Sequence, residues 1–470
     1  MNYNKPSYLY SDVLKKFEDL EKKLQLDKSK INNVHWWDTC RYEIFNDLNI
    51  KLGLRNKSPK KETSKKFKFI KNVLINFFNF FLKNSPIWIS KNANIIFGHP
   101  RRKYEDGVYI DQYVDPFIDL FPESFKFTII ERPISNHHLK PAKSKKIFYA
   151  DFLLDLINIF SKFIKFELNH DNQKILSNLE KNLNNEFHCK VDVKNKVKNK
   201  ICYWIAAQTI MSLFFRMKKP KILFFVDTVG QEAVISAAKS LKICTVELQH
   251  GSPSRGKLNY DYSSGIDKKS FPDYFLSYGK YWSSSCKFPI VEKNIIPFGN
   301  SYLYRKKKFY SKIKKENRIV ILSQPAVTDL LEFTYKLAKK FYGKITIEFK
   351  PHPKEFYYNE PDYFKKLRDL GVIISEKNSD LYEILAKSRW LVGVYSTAIY
   401  EGLFFDVSIF ILNVAGSENM KNLIELNIAN LVSSPKDINL NWKADTKIKK
   451  DIFAEPTKKK IDFIISLAKN

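Results

Sequence analysis

Short runs of β-branched and aromatic residues, each followed by a polar turn and then by helical spacing, recur along most of this chain. Lys221-Ile222-Leu223-Phe224-Phe225-Val226-Asp227 reads as a buried strand. A helix follows from roughly Gln231 to Ser240, and then a second strand, Ile243-Cys244-Thr245-Val246-Glu247-Leu248. Strand, helix and strand at this spacing form a right-handed βαβ crossover, which demands a parallel sheet covered by helices on both faces. Asn94–Gly98 and Phe127–Ile130 are earlier strands of the same kind, and residues 150–218 are helical. The pattern restarts at Arg318–Leu322. It continues through a helix from about Asp329 to Phe341, strands at Lys344–Lys350 and Val372–Ile374, and a helix at Asp380–Lys387. The strand Trp390–Val394, a helix from Ala398 and the strand Ser408–Leu412 complete it. Two α/β units suit a chain of 470 residues, which is too long for one ordinary core.

These patterns place a first Rossmann-like domain at 91–303 and a second at 316–440. Tyr304–Lys315 (YRKKKFYSKIKK) is the expected exposed connection between them. Residues 441–470 form a tail whose helix, about Thr457–Ala468, is expected to fold back on the first domain. Residues 1–90 read as a helical extension, with Leu14, Phe17, Leu20 and Leu24 at helical spacing. Inside it, a basic stretch at 60–66 leads into Phe67, Ile70, Leu74, Phe77, Phe78 and Phe81, and Pro86 ends the pattern. Such a basic amphipathic helix at 60–84 either lies in a lipid interface or packs its stripe on the N-terminal domain.

The net charge is +30, from 80 Lys and Arg against 50 Asp and Glu, and it attracts polyanions. No zinc-knuckle spacing, basic-zipper pattern or aromatic ribonucleoprotein box is present, so nucleic acid is not an expected partner. An anionic membrane surface is. The start MNYNKPSYLYSD lacks the apolar core of a signal peptide, and no run of about 18 apolar residues occurs. The expected location is therefore the cytoplasm, peripheral on the inner face of the cell membrane. Five scattered cysteines, none spaced C-x-x-C, argue against disulfides and structural zinc.

Ligands of open parallel sheets sit at the carboxyl ends of the strands, and three polar motifs fall there. Glu247-Leu248-Gln249-His250-Gly251-Ser252-Pro253 delivers His250 into a turn, where an imidazole can accept a proton near neutral pH. In Phe349-Lys350-Pro351-His352-Pro353-Lys354 the prolines stiffen a loop that projects His352, with Lys350 adding positive charge suited to a phosphate. In Gly393-Val394-Tyr395-Ser396-Thr397-Ala398-Ile399-Tyr400-Glu401-Gly402 a strand ends and a helix begins. Free N–H groups with the Ser396 and Thr397 hydroxyls make an anion site, and Glu401 lies one turn down on the same face. A phosphate at the tip and a ribose at Glu401 would grip a nucleotide. Earlier, Gly98–Gly107 carries Glu105 and Asp106 as candidate catalytic carboxylates. Arg101 and Arg102 are candidates to hold an anionic acceptor. Glu131-Arg132-Pro133 and His137-His138 are placed only as lining residues.

At these residues the chain resembles GT-B glycosyltransferases. His352-Pro353 and Ser396-Thr397 are similar to motifs of bacterial sialyltransferases and polysialyltransferases that hold the CMP part of the donor. Glu105-Asp106-Gly107 matches the acidic pair whose carboxylate is their general base. His250-Gly251 resembles the motif of CDP-glycerol glycerophosphotransferases in which the histidine is the proposed base, and the stretch Glu247–Leu412 looks like capsule and lipopolysaccharide transferases. The resemblance implies two facing Rossmann-like domains and an inverting, metal-independent transfer of a sugar, of the CMP-sialic acid or CMP-Kdo type. The acceptor would be a glycan or lipid-linked glycan, and the nucleotide-sugar would be a substrate with no separate cofactor. Rival readings are a CDP-glycerol-type polyol-phosphate transferase, a UDP-sugar 2-epimerase of the same fold, and a non-catalytic polyanion-binding protein.

Overall fold

Runs of Ile, Leu, Val and Phe that cannot face water on either side become the central strands of two parallel sheets. The computed structural model of the chain describes residues 8–54, 84–134, 137–262, 270–324, 328–352, 355, 361–445 and 448–469. They fall into two units. One holds the chain up to Tyr278, Trp282–Gly299 and the chain from Pro456; the other holds Gly279–Tyr281 and Asn300–Glu455.

In the first unit, strands β1 (Asn94–Phe97), β4 (Phe127–Glu131), β5 (Ile147–Tyr149), β6 (Ile222–Val226), β7 (Cys244–Leu248), β8 (Tyr274–Ser277) and β9 (Ile295–Pro297) form one sheet. Its order is β5-β4-β1-β6-β7-β8-β9, parallel throughout. The chain grows to one side of β1 and then returns to grow to the other, the doubly wound pattern. Residues Lys103–Glu105 (β2) and Val108–Ile110 (β3) make a separate antiparallel hairpin. In the second unit, β10 (Glu316–Leu322), β11 (Thr346–Lys350), β12 (Ile373–Ile374), β13 (Ser388–Gly393), β14 (Ser408–Leu412) and β15 (Ala429–Val432) form a sheet ordered β12-β11-β10-β13-β14-β15, again parallel. The expected fold class holds: two Rossmann-like α/β units with parallel sheets, the components of the GT-B class.

The N-terminal helices Tyr10–Lys23 and Trp36–Lys51 are not an appendage. Their Phe17, Trp36, Trp37 and Ile44 share one core with Leu176, Leu179, Val197 and Ile201 of the helices His170–Phe187 and Val193–Lys218. The terminal helix Lys458–Leu467 buries Ile464 among Ile96, Phe117 and Phe224 of the first unit. Tyr304–Lys315, expected as an exposed connection, is instead packed into the second unit. Lys306 pairs with Asp380 at 2.7 Å, and Lys315 Nζ donates to the carbonyls of Leu385, Ser388 and Phe405 at 2.8, 2.7 and 2.7 Å. Burial pushes the Lys315 ammonium down to about 8. Charge alone did not reveal that one of these lysines pairs with a carboxylate and the other caps carbonyls. The basic, Phe-rich stretch at 60–83 lies outside the described residues. Among those described, no helix is long and apolar enough to cross a membrane.

Candidate functional site

Each sheet has a switch point where the connections diverge: between β1 and β6 in the first unit, and between β10 and β13 in the second. In each such sheet, ligands bind outside the carboxyl ends of the strands at and beside its switch point.

In the first unit the residues there are His99 after β1, Asp227 after β6 and His250 after β7. The His99 and His250 rings stack with centroids 6.0 Å apart, and Tyr113 meets them edge-on at 5.2 and 6.3 Å. His250 Nε2 lies 3.9 Å from Asp227 Oδ1, and Nδ1 lies 3.5 Å from the Tyr260 hydroxyl. That hydroxyl donates at 2.6 Å to Glu247 Oε1, while Thr228 Oγ1 donates at 3.1 Å to Oε2. Burial lowers the His250 pKa first. The Asp227 carboxylate opposes this, and Lys257, Arg101 and Arg132 add to it. His99 falls to about 3, mainly by burial and then by the charge of His250. Both imidazoles are thus neutral at pH 7, and His250, 22% exposed, can accept a proton. Glu247 is raised to about 8 by burial, so it stays a neutral acid beneath them.

Asp227 sits at φ 67°, a left-handed conformation uncommon for a residue with a side chain. Its own Oδ1 accepts the Val229 N–H at 3.1 Å, the short loop that lets Asp occupy this region. Asp111 fixes the turn after β1, accepting the His99 N–H at 3.0 Å, and burial raises it to about 7. The loop after His250 is pinned by Gln249, which accepts the Tyr278 N–H at 2.6 Å and donates to Gly251 O at 2.7 Å. It is pinned again from the N-terminal helices. Arg41 donates to the carbonyls of Leu258 and Asp261 at 3.2 and 2.6 Å while held by Glu21 at 2.7 Å. Beside this loop, a polar depression open to solvent is lined by Asp38, Glu43, Lys200, Thr228, Glu232 and Tyr262, among others.

Other first-unit candidates fare differently. Asp106 (φ 50°) and Gly107 (φ 82°) are the turn of the β2–β3 hairpin, with Asp106 exposed at its tip. Asp-Gly between two short strands is the type I′ hairpin signal, so turn geometry accounts for the letters that resembled a catalytic acidic pair. Arg102, expected to hold an acceptor, has a side chain only 1% exposed. It is spent on Glu131, with Asp115 at 4.0 Å. Arg101 is exposed and remains available. His138 is wedged between Glu131 (2.6 Å) and Asp151 (2.8 Å). Burial would lower its pKa, but the hydrogen bonds to Asp151 and Glu131 outweigh burial and raise it. The stability it contributes is therefore complete below about pH 6.5 and fades as pH rises through the raised folded value. Urea unfolding at pH 6 and pH 9 should show a smaller pH-dependent loss in His138→Gln than in the wild type.

In the second unit, His352 follows β11 and Ser396 follows β13. These strands flank β10, so the two loops emerge on the same edge about 10 Å apart by strand spacing. Ser396 caps the helix Thr397–Phe404, its Oγ accepting the Ala398 N–H at 3.2 Å. Gly402 lets that helix sit close on the sheet: a Cβ there would lie 2.8 Å from Leu391 Cδ1 and 3.3 Å from Ile409 Cδ1. Gln324, after β10, donates to the Tyr395 carbonyl across the switch point. The His352 N–H donates to Glu355 Oε2 at 2.5 Å. Glu355 also accepts from Ser323 Oγ at 2.9 Å and from the Tyr363 hydroxyl, so it ties the His352 N–H to the residue after β10 and to Tyr363. Lys350 Nζ donates to the Glu376 carbonyl at 3.1 Å. Glu401 is half-buried one turn below Thr397. Asp227, Tyr260, His99 and Glu355 escaped the sequence reading. The one available signal was position, since Asp227 and His99 each follow an apolar run by one or two residues.

No protein-family model matches the chain, and no curated protein matches it. Solved structures similar to it include UDP-GlcNAc 2-epimerase from Methanocaldococcus jannaschii, at 12% identity over 80% of this chain and 99% of that one, with TM-score 0.47. The UDP-GlcNAc 2-epimerase from Neisseria meningitidis bound to UDP-GlcNAc matches at 12% identity over 80% and 100%, TM-score 0.46. The wall teichoic acid polymerase TagF matches at 11% identity over 86% and 98%, TM-score 0.44. At such low identity and scores, the fold stands on its own two sheets.

Proposed function

We propose that this chain is a GT-B glycosyltransferase that moves a sugar from a nucleotide-activated donor to a surface-glycan acceptor. In this reading the second unit holds the nucleotide. Phosphate meets the Ser396–Thr397 helix start, His352 and Lys350, and the ribose meets Glu401. In the first unit, His250 takes the proton of the acceptor hydroxyl as it attacks the anomeric carbon, with inversion. The departing nucleotide's charge is met by the helix start and His352, without a resident metal. The observation that carries the reading is His250, a neutral, partly accessible imidazole after β7, held beside Asp227, which follows β6 at the switch point of the sheet.

A cytidine donor of the CMP-sialic acid or CMP-Kdo type is the finer form, supported by the His352-Pro353 and Ser396-Thr397 motifs. Placement on the inner face of an anionic membrane is supported by the net charge of +30. A thermal-shift panel of CMP, CDP, UDP and GDP tests the donor. A nucleotide at 100 times its dissociation constant stabilises by about 2.7 kcal/mol. CMP should give the largest shift, and Glu401→Gln should weaken its binding about tenfold to a hundredfold by losing a charge-assisted hydrogen bond. A response to UDP alone would move the reading to a UDP-sugar epimerase, and no response from any nucleotide would overturn it.

A further inference from the structure

Three arginines of the first unit have guanidinium atoms withdrawn from water, and two of them have their counter-charge at hand. Arg41 pairs with Glu21 at 2.7 Å. Arg102, although its Nε and Nη1 lack hydrogen bonds, has its charge met by Glu131 and Asp115. Arg132 does not follow them. Among the described residues its side chain makes no ion pair within 4.0 Å, and its Nε is buried with no hydrogen-bond partner. A guanidinium nitrogen buried without a partner, on a side chain with no carboxylate in reach, is costly, and a protein retains one where something else supplies the negative charge.

Its position says where that charge would arrive. Arg132 is the first residue after β4, and the β1–β4 register runs Phe97 to Ile130, so its continuation sets Arg132 level with His99. His99 stacks on His250 with centroids 6.0 Å apart, the Arg101 N–H donates to His99 Nδ1 at 3.1 Å and Arg132 is level with His99, so the four gather at one carboxyl edge, where both arginines depress the two imidazoles. The acidic groups felt by Arg132, Asp227 and Glu232, do not reach it as ion-pair partners. Asp227 faces His250 instead, and Glu232 accepts the Gly230 N–H at 3.0 Å. Tyr203 and His99 bring no negative charge at neutral pH.

We infer that Arg132, with Arg101, forms an anion seat beside His250 that receives a phosphate or carboxylate carried by the acceptor substrate. The inference rests on reading His250 as the base for that acceptor. It makes the acceptor an acidic molecule, held by its anionic group so that a neighbouring hydroxyl reaches the imidazole. A planar guanidinium grips either oxyanion with two parallel N–H donors, whereas a lysine would offer only a point charge.

The test uses the full chain with two probes, inorganic phosphate and D-glucuronate, followed by calorimetry and by the ring resonances of His99 and His250. The wild type should bind at least one probe with a shift of both histidines, and Arg132→Gln should lose at least tenfold in that affinity. In anion-free buffer Arg132→Gln should melt at or above the wild-type temperature, because no internal pair is lost. Phosphate alone would assign a phosphorylated acceptor, and glucuronate alone a carboxylated sugar; either supports the seat. Binding of both probes by Arg132→Gln within twofold of the wild type would overturn it, as would a lower melting temperature in anion-free buffer. CMP titration of the same proteins reports on the second unit. Its failure would strike the transferase reading and leave the anion seat to be judged by its own probes.

Discussion

His250→Ala is expected to lower transfer by about a hundredfold to ten-thousandfold while nucleotide binding stays within twofold of the wild type, since a positioned base contributes about that much and the residues proposed to hold the nucleotide follow strands of another sheet. The pH profile adds a sign that a merely structural histidine would not give. Burial lowers the His250 pKa, so the basic form persists below the ordinary histidine value of about 6.5 and the acid limb of kcat/KM should lie under it. Asp227 opposes that lowering. Asp227→Asn should therefore move the limb to still lower pH, with a smaller loss of rate than His250→Ala. Transfer rates of the two variants against pH check both statements. Retention of a tenth or more of wild-type transfer by His250→Ala would remove the histidine from the mechanism.

Glu21→Ala should destabilise the protein by about 3–5 kcal/mol, the range for leaving one half of a buried ion pair without its partner. Arg41 is 1% exposed and Glu21 6%, so water cannot take over the lost interaction. Trp37 also loses the acceptor of its Nε1–H, which donates to Glu21 Oε1 at 2.7 Å. The damage reaches further than the helices, because Arg41 fastens the Leu258 and Asp261 carbonyls on either side of Tyr260. Urea midpoints give the stability change. Hydrogen exchange over 256–262 should show this loop opening more readily than the central strands. A loss under 1 kcal/mol would mean that the pair is dispensable.

The sequence made the sheets legible because the central strands are buried on both faces and read as unbroken apolar runs. β6 and β14 match the expected boundaries within a residue or two. The strands β5, β8, β9 and β15 went unseen for the opposite reason. They are three or four residues long, and each carries at least one partly exposed position, so none stands out as an unbroken apolar run. The site was legible only in part. His250, His352 and Ser396 stand out by letter and position, whereas Tyr260 reaches the site only because its loop folds back onto Glu247. Glu105-Asp106-Gly107 shows the reverse hazard, since residues suited to catalysis are also those that two left-handed turn positions require. Arg101, Arg102 and Arg132 cannot be ranked by spacing. What separates them is which one has a carboxylate nearby, and that depends on β1 and β4 lying side by side, which brings Glu131 to Arg102.

The clamp on Tyr260 has a consequence for how the chain is made. Arg41 leaves the ribosome 217 residues ahead of the Leu258 carbonyl that it will hold, a wait of roughly 10–40 s at ordinary translation speeds. Glu21, only 20 residues away, emerges before it and can neutralise the guanidinium throughout that interval. The acid thus acts as an early companion that keeps the first helices paired until the late-arriving loop docks.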